Sequence, residues 1–190
     1  MKLPIVLAST SPRRQELLKQ VGIQFEVVPS SISEDFDLAL PPRDVARALA
    51  ERKAEAVAII RSESLIIAAD TIVVLDGEIL GKPGSADDAV QMLERLSGRT
   101  HLVITGVALR CIDREVNEVL DIATEVTFGD IPKGLIKKYV ETGEPMDKAG
   151  AYGAQGMGAM FIKSIKGSYS NVVGLPLFEV VGVLRKYMKD

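Results

Sequence analysis

The chain has 190 residues, 47% hydrophobic and 26% charged, which is enough to bury a sizeable core and suits one globular domain over 1–190. Lysine and arginine number 23 against 26 acidic residues, so the net charge of -3 gives no general attraction to nucleic acid or an anionic membrane, and any anion site has to be local. The single cysteine, Cys111, excludes an internal disulfide, one cysteine with one histidine cannot build the usual structural zinc site, and no segment reaches the ~20 apolar residues of a membrane span. A soluble cytoplasmic protein is expected.

LPIVLA, Leu3 to Ala8, is a short apolar run of the buried-strand type. A helix follows, with Ser11 as N-cap, Pro12 at its first position, an apolar stripe of Leu17, Leu18 and Val21, and Gly22 as its stop. This helix opens with Arg13 and Arg14, where the helix dipole is already positive and an anion would be favoured over a cation. FEVVPSSI predicts a second strand ending near Pro29, and Pro42 to Ile60 a helix carrying Lys53 in its middle. LIIAADTIVVLDGEILG predicts a hairpin turning at Asp76-Gly77, because the tightest hairpin turn needs positive φ at both central residues. In the helix SADDAVQMLERLSG, Ser85 and Asp88 have capping-box spacing and Gly98 is the stop. Two strands, HLVITGVALRCI and EVLDIATEVTF, flank a charged turn at Asp113 to Asn117. A helix from Ile131 to Val140, a glycine-rich loop, a strand at AMFIKSI and a helix from Pro176 to Met188 complete the chain. The interleaving of strands and helices together with hairpins predicts a mixed sheet in an α/β fold.

Polar residues gather at three places beside apolar strands, where α/β folds put ligand sites. At the first, free backbone N–H groups of the opening helix with Arg13 and Arg14 suit phosphate oxygens, although two arginines facing water would look the same in sequence. At the second, Asp70 interrupts an apolar strand, where an ionised carboxylate needs a partner or a metal; a structural acid is the alternative. Lys82 in LGKP closes the same hairpin. Three residues separate Gly77 from Gly81 and Pro83 follows the lysine, so this is not a phosphate-binding P-loop. The third is EPMDKAGAYGAQGMGAMF, where backbone can approach a ligand closely and Gln155 offers both a donor and an acceptor to a base edge. It lacks the GxGxxG spacing of dinucleotide-binding loops. His101 begins an apolar strand and is assigned a structural role, and Cys111 in VALRCI reads as a buried thiol. No GxSxG elbow is present, nor a histidine near Ser168 or Ser170, which argues against serine-hydrolase chemistry.

ASTSPRR, Lys53 in ERKA, ADTIVVLDGEILGKP, LSGRTHLVITGVAL, EPMDKAGAYGAQG and GSYSNVVGLPL together resemble the Maf family of nucleoside triphosphate pyrophosphatases, in order over nearly the whole chain. The resemblance implies a single Maf-like domain over 1–190. Its fold would be a mixed α/β structure with an elongated, twisted sheet in two lobes around a central cleft, similar to inosine triphosphate pyrophosphatase, and often dimeric. It implies cleavage between the α and β phosphates with a divalent metal, magnesium or manganese. Family members acting on dTTP and UTP resemble this chain at Arg13, Thr71 and Gln155, whereas 7-methyl-GTP members tend to carry Trp, Gln and Glu there. Ala154 departs from the family, which often has isoleucine before the glutamine, a difference of packing.

The implied roles follow. Asp70 serves as general base for water, Ser9, Arg13, Arg14, Lys53 and Lys82 hold the triphosphate, and Thr71 and Gln155 contact the pyrimidine, while Glu34 in ISEDFD is the candidate second carboxylate beside Asp70 near the metal, with an exposed loop acid as the alternative. The partners implied are the nucleotide substrate and a second copy in a homodimer, with no nucleic acid and no membrane. The alternatives are a Maf-type enzyme with another base preference, such as 7-methyl-GTP, and a non-catalytic nucleotide-binding regulator of septum formation. A nucleic-acid module is disfavoured by the acidic balance and the lack of an aromatic and basic stripe.

Overall fold

The apolar opening run forms β1 (Ile5–Leu7), buried on all three residues. The computed structural model describes residues 3–33, 35 and 39–187. Among the described residues seven strands make one mixed sheet in the order β2-β1-β3-β5-β6-β7, with β4 paired to β3. The strands are β2 (Glu26–Val27), β3 (Leu65–Leu75), β4 (Glu78–Leu80), β5 (Thr100–Cys111), β6 (Val116–Phe128) and β7 (Ile162–Lys166). The chain divides into two compact units, one of Met1–Asp70, Thr105–Ile122 and Gly174–Asp190, the other of Thr71–Ile104 and Ala123–Val173.

In the first unit β1 runs parallel to both neighbours, with Leu7 level with Val27 and with Ile67. Helix α1 (Pro12–Gln20) begins at the proline as expected, but the Ser11 side chain caps nothing. The Ser11 amide instead donates to the Ser9 hydroxyl at 3.2 Å, so the loop between β1 and α1 is closed from within. Leu17 and Leu18 are buried while Val21 is exposed, which narrows the expected stripe to two residues. The second strand shrinks to Glu26–Val27, both exposed, as suits a short strand at the sheet edge. Helix α2 (Pro42–Ala58) buries Val45, Ala46, Leu49, Ala50, Ala54, Val57 and Ala58 along one face, and Lys53 falls on that face. Gly106 of β5 passes so close to α2 that a Cβ there would lie 2.1 Å from the Ala46 carbonyl oxygen. Helix α6 (Leu177–Tyr187) is preceded by a separate short helix, α5 (Tyr169–Val173), so the single terminal helix expected from Pro176 starts one residue later and has a forerunner.

In the second unit the β3–β4 hairpin pairs Leu75 with Glu78, and Asp76 and Gly77 have φ of 51° and 84°, the two positive values that its turn requires. Helix α3 (Ala86–Leu96) starts as the capping spacing predicts, with the Ser85 hydroxyl accepting from the Asp88 amide. It buries Ala89, Leu93 and Leu96, and each leucine removed from water contributes about 2 kcal/mol. Beyond helix α4 (Lys133–Glu141) the glycine-rich stretch is built of short 3-10 turns, the last of them Met157–Phe161, so β7 begins only at Ile162. In the core of this unit His101, Phe128 and Tyr152 meet edge to face, as do Tyr139 and Phe161, and Phe128 and Phe161 pack at a tilt. No helix among the described residues is long and apolar enough to cross a membrane.

Candidate functional site

Lys53 lies on the face of α2 that is otherwise alanine, valine and leucine, so its ammonium is carried into the interior rather than into water. Asp70 sits at the sixth position of β3, between buried Ala69 and half-buried Thr71. The two meet: Nζ of Lys53 donates to Oδ1 of Asp70 at 2.5 Å, with the residues 7% and 8% exposed. A buried carboxylate without a partner would be costly, and the ammonium meets that need. The pairing uses at least one of the three ammonium protons.

The loop after β1 approaches the same strand. Ala8 donates to the Ile67 carbonyl at 2.8 Å, which carries the parallel register past the end of β1 and brings Ser9 within a few residues of Asp70 along the sheet. Ser9 is buried, and its hydroxyl also accepts from Nη1 of Arg14 at 3.2 Å. Nε of Arg14 donates to the Gly174 carbonyl at 2.8 Å. Part of the Arg14 guanidinium is therefore spent on holding the loop in place. Arg13, half-buried in the first turn of α1, stands beside it, and that turn contains no acidic side chain to oppose either cation.

The second unit holds Thr71, Lys82 and Gln155. Thr71 directly follows Asp70 on β3 and is half-buried, while Lys82 and Gln155 are exposed. Lys82 comes two residues after β4, and the Gly81 carbonyl before it accepts from the Gly150 amide at 3.0 Å, which joins the end of the hairpin to the glycine-rich loop. Glu34 lies outside the described residues. The structure thus joins Ser9 with Arg14 and Lys53 with Asp70, and sets Lys82 beside the loop that carries Gln155.

Three residues of this arrangement were not legible as such. Gly174 serves Arg14 through its carbonyl, which no side chain announces. Glu144 and Tyr139 hold the loop of Gln155: Oε1 of Glu144 accepts from the Tyr139 hydroxyl at 3.0 Å and from the Gly158 amide at 3.2 Å, and Oε2 from the Met157 amide at 2.9 Å. Burial works against the Glu144 charge, but the two amides, the tyrosine and nearby Lys148 outweigh it and hold the carboxyl below its ordinary value. Tyr139 is displaced the other way, burial and the adjacent carboxylate both pushing its hydroxyl upward. The only sequence signal Glu144 offers is that it is an acid directly before a proline at the head of a loop with few solvating side chains.

His101 is a core residue. It is 2% exposed, its Nε2 is 2.8 Å from the Tyr152 hydroxyl, and burial lowers its pKa to about 4. Cys111 is likewise buried, its thiol directed at the Ser62 carbonyl.

This chain is similar to known proteins over nearly all of its length. The dTTP/UTP pyrophosphatase of Desulforamulus reducens is 49% identical over 184 residues, 97% of this chain and 96% of that one. Those of Symbiobacterium thermophilum and Moorella thermoacetica are 51% and 50% identical, covering 96% and 98% of this chain and 93% and 96% of theirs. Among solved structures, a HAM1 protein from Coxiella burnetii superposes with a TM-score of 0.53 at 16% identity, covering 97% of this chain and 99% of that one, a likeness of fold. Residues 4–187 match the model of the Maf-like protein family, and the chain belongs to that family.

Proposed function

We propose that this protein is a nucleoside triphosphate pyrophosphatase that hydrolyses dTTP and UTP to the monophosphate and pyrophosphate, the activity its relatives are named for. The observation that carries the reading is the buried Lys53–Asp70 pair on the strand beside the Ser9–Arg14 loop. Attack of water on a phosphorus ringed by negative oxygens needs neutralised charge, an aligned nucleophile and a stabilised leaving group. Asp70 takes the proton of the attacking water, and Lys53 holds the carboxylate in one orientation. Ser9 and the arginines of α1, with Lys82, receive the phosphate chain. Thr71 and Gln155 face the pyrimidine, where polar groups left unsatisfied penalise the wrong base. Residues 1–190 act as one functional domain.

A divalent metal suits this family of reactions. Among the described residues no group of three or more His, Cys, Asp or Glu side chains gathers into a metal cage. Magnesium and manganese need none, since on a triphosphate they take one or two carboxylates and fill the remaining positions with phosphate oxygens and water. Asp70 is the carboxylate that would hold the ion, with Glu34 as its companion. Once bound, the ion neutralises phosphate charge and makes its water more acidic.

The test is a panel of triphosphates incubated with magnesium, manganese or EDTA, with the products identified. Monophosphate and pyrophosphate from dTTP and UTP, lost with EDTA, are expected. Saturable nucleotide binding with no pyrophosphate under either metal would overturn the reading in favour of a regulator.

A further inference from the structure

The bend that carries Gln155 is composed almost wholly of glycine and alanine, yet it is pinned at both ends. At its far end the Glu144 carboxylate takes the amides of Met157 and Gly158, the second and third residues after Gln155. At its near end Gly153 lies against Lys148, where a Cβ would stand 2.7 Å from Cε, and Nζ of Lys148 donates to the Glu144 carbonyl at 2.6 Å. Gly156 packs directly on the carboxylate, its hypothetical Cβ 2.3 Å from Oε1. Gly158 has room for nothing larger between the Gly153 backbone and the Tyr139 hydroxyl, each 2.8 Å from such a Cβ. These glycines are therefore small because backbone closes around one acid, and the exposed Gln155 is presented from a fixed base.

We propose that Glu144 is a positioning residue for nucleobase selection, clamping the Gly153–Gly158 bend so that the amide of Gln155 is held at one place and angle against the pyrimidine. The proposal rests on the reading of Gln155 as the residue that faces the base. Glu144 itself touches no substrate. Its side-chain oxygens are occupied by Tyr139, Met157 and Gly158, which fixes them as scaffold.

Glu144→Gln tests it, since the substituted amide confronts one backbone N–H with another donor. Glu144→Asp, one methylene shorter and unable to span both amides, serves as the second variant if the first does not fold. For each, and for Gln155→Ala and the double variant, kcat/KM is measured for dTTP and dCTP, which share the sugar and phosphate chain and differ at the base. Exchange of the Met157 and Gly158 amides is followed by NMR. The expected result is a fall of about tenfold in the dTTP-to-dCTP ratio in the Glu144 variants and in Gln155→Ala alike, little further fall in the double, a rise in KM for dTTP exceeding any change in kcat, and faster exchange at the two amides in the Glu144 variants. A ratio altered by Gln155→Ala but untouched by the Glu144 variants overturns the proposal and leaves the reading of Gln155 standing. A ratio untouched by Gln155→Ala overturns that reading, and the proposal with it.

Discussion

Nζ of Lys53 and Oδ1 of Asp70 lie 2.5 Å apart in the interior of the first unit, an ion pair joining the middle of a helix to the middle of a strand. A carboxylate held in this way is oriented without being consumed. Asp70→Asn keeps the shape and removes the base, so turnover should fall by about 10²- to 10⁴-fold while dTTP binding persists. Pyrophosphate release and isothermal titration check the two halves separately, and near-normal turnover would exclude Asp70 as the base.

The same pair governs stability. Removing one member strands the other charge in an apolar interior, so Lys53→Met should cost about 3–5 kcal/mol. Asp70→Leu added to it should restore part of that loss, since two apolar groups of similar volume leave no buried charge. Urea unfolding of the two single variants and the double gives the coupling, and costs that simply add would show that the pair is not a unit.

Gly106→Ala places a methyl group against the Ala46 carbonyl, with backbone on both sides and no flexible side chain to yield. A loss of about 3 kcal/mol or more is expected, at the high end of overpacking. It should appear as a lowered urea midpoint, and an unchanged midpoint would mean that α2 shifts freely away from β5.

His101 makes stability depend on acid. Its folded pKa of about 4 lies below the ordinary 6.5, so between these values the unfolded chain binds the proton that the folded chain refuses. The contribution is complete above pH 6.5 and is lost as pH falls toward 4, amounting to about 3 kcal/mol at the lower limit. As the chain has one histidine, its NMR titration is unambiguous, and a midpoint near 6.5 would contradict the buried environment.

Sequence patterns told most about elements whose signals are local. The Asp76-Gly77 turn and the Ser85 cap were legible because each depends on residues within four positions of each other. Ser11 misled because a serine before a helical proline has the residue type of an N-cap whether or not its hydroxyl reaches the amides of the first turn, and here it accepts none of them. The strand at FEVVPSSI has the right residues but no second neighbour, so only Glu26–Val27 pair as a strand.

For the site, Asp70 and Lys53 stood out as charges in apolar company, and each proved to be the other's partner. That pairing was illegible, since 17 residues separate them and only the packing of α2 on the sheet brings them together. Gly174 and Glu144 act through a carbonyl and through backbone amides, contacts that leave almost no trace in residue type.

The two units are woven from one thread, which leaves the first for the second after Asp70, returns at Thr105, departs again after Ile122 and comes back at Gly174. No single cut separates one unit cleanly from the other. A gene fragment ending anywhere in the middle encodes pieces of both, so neither unit can be shed, exchanged or inherited alone by one recombination event. The peptide bond between Asp70 and Thr71, the proposed base and a proposed pyrimidine contact, is itself one of the crossings, so only a break at that one bond would part these two pieces of the chemistry.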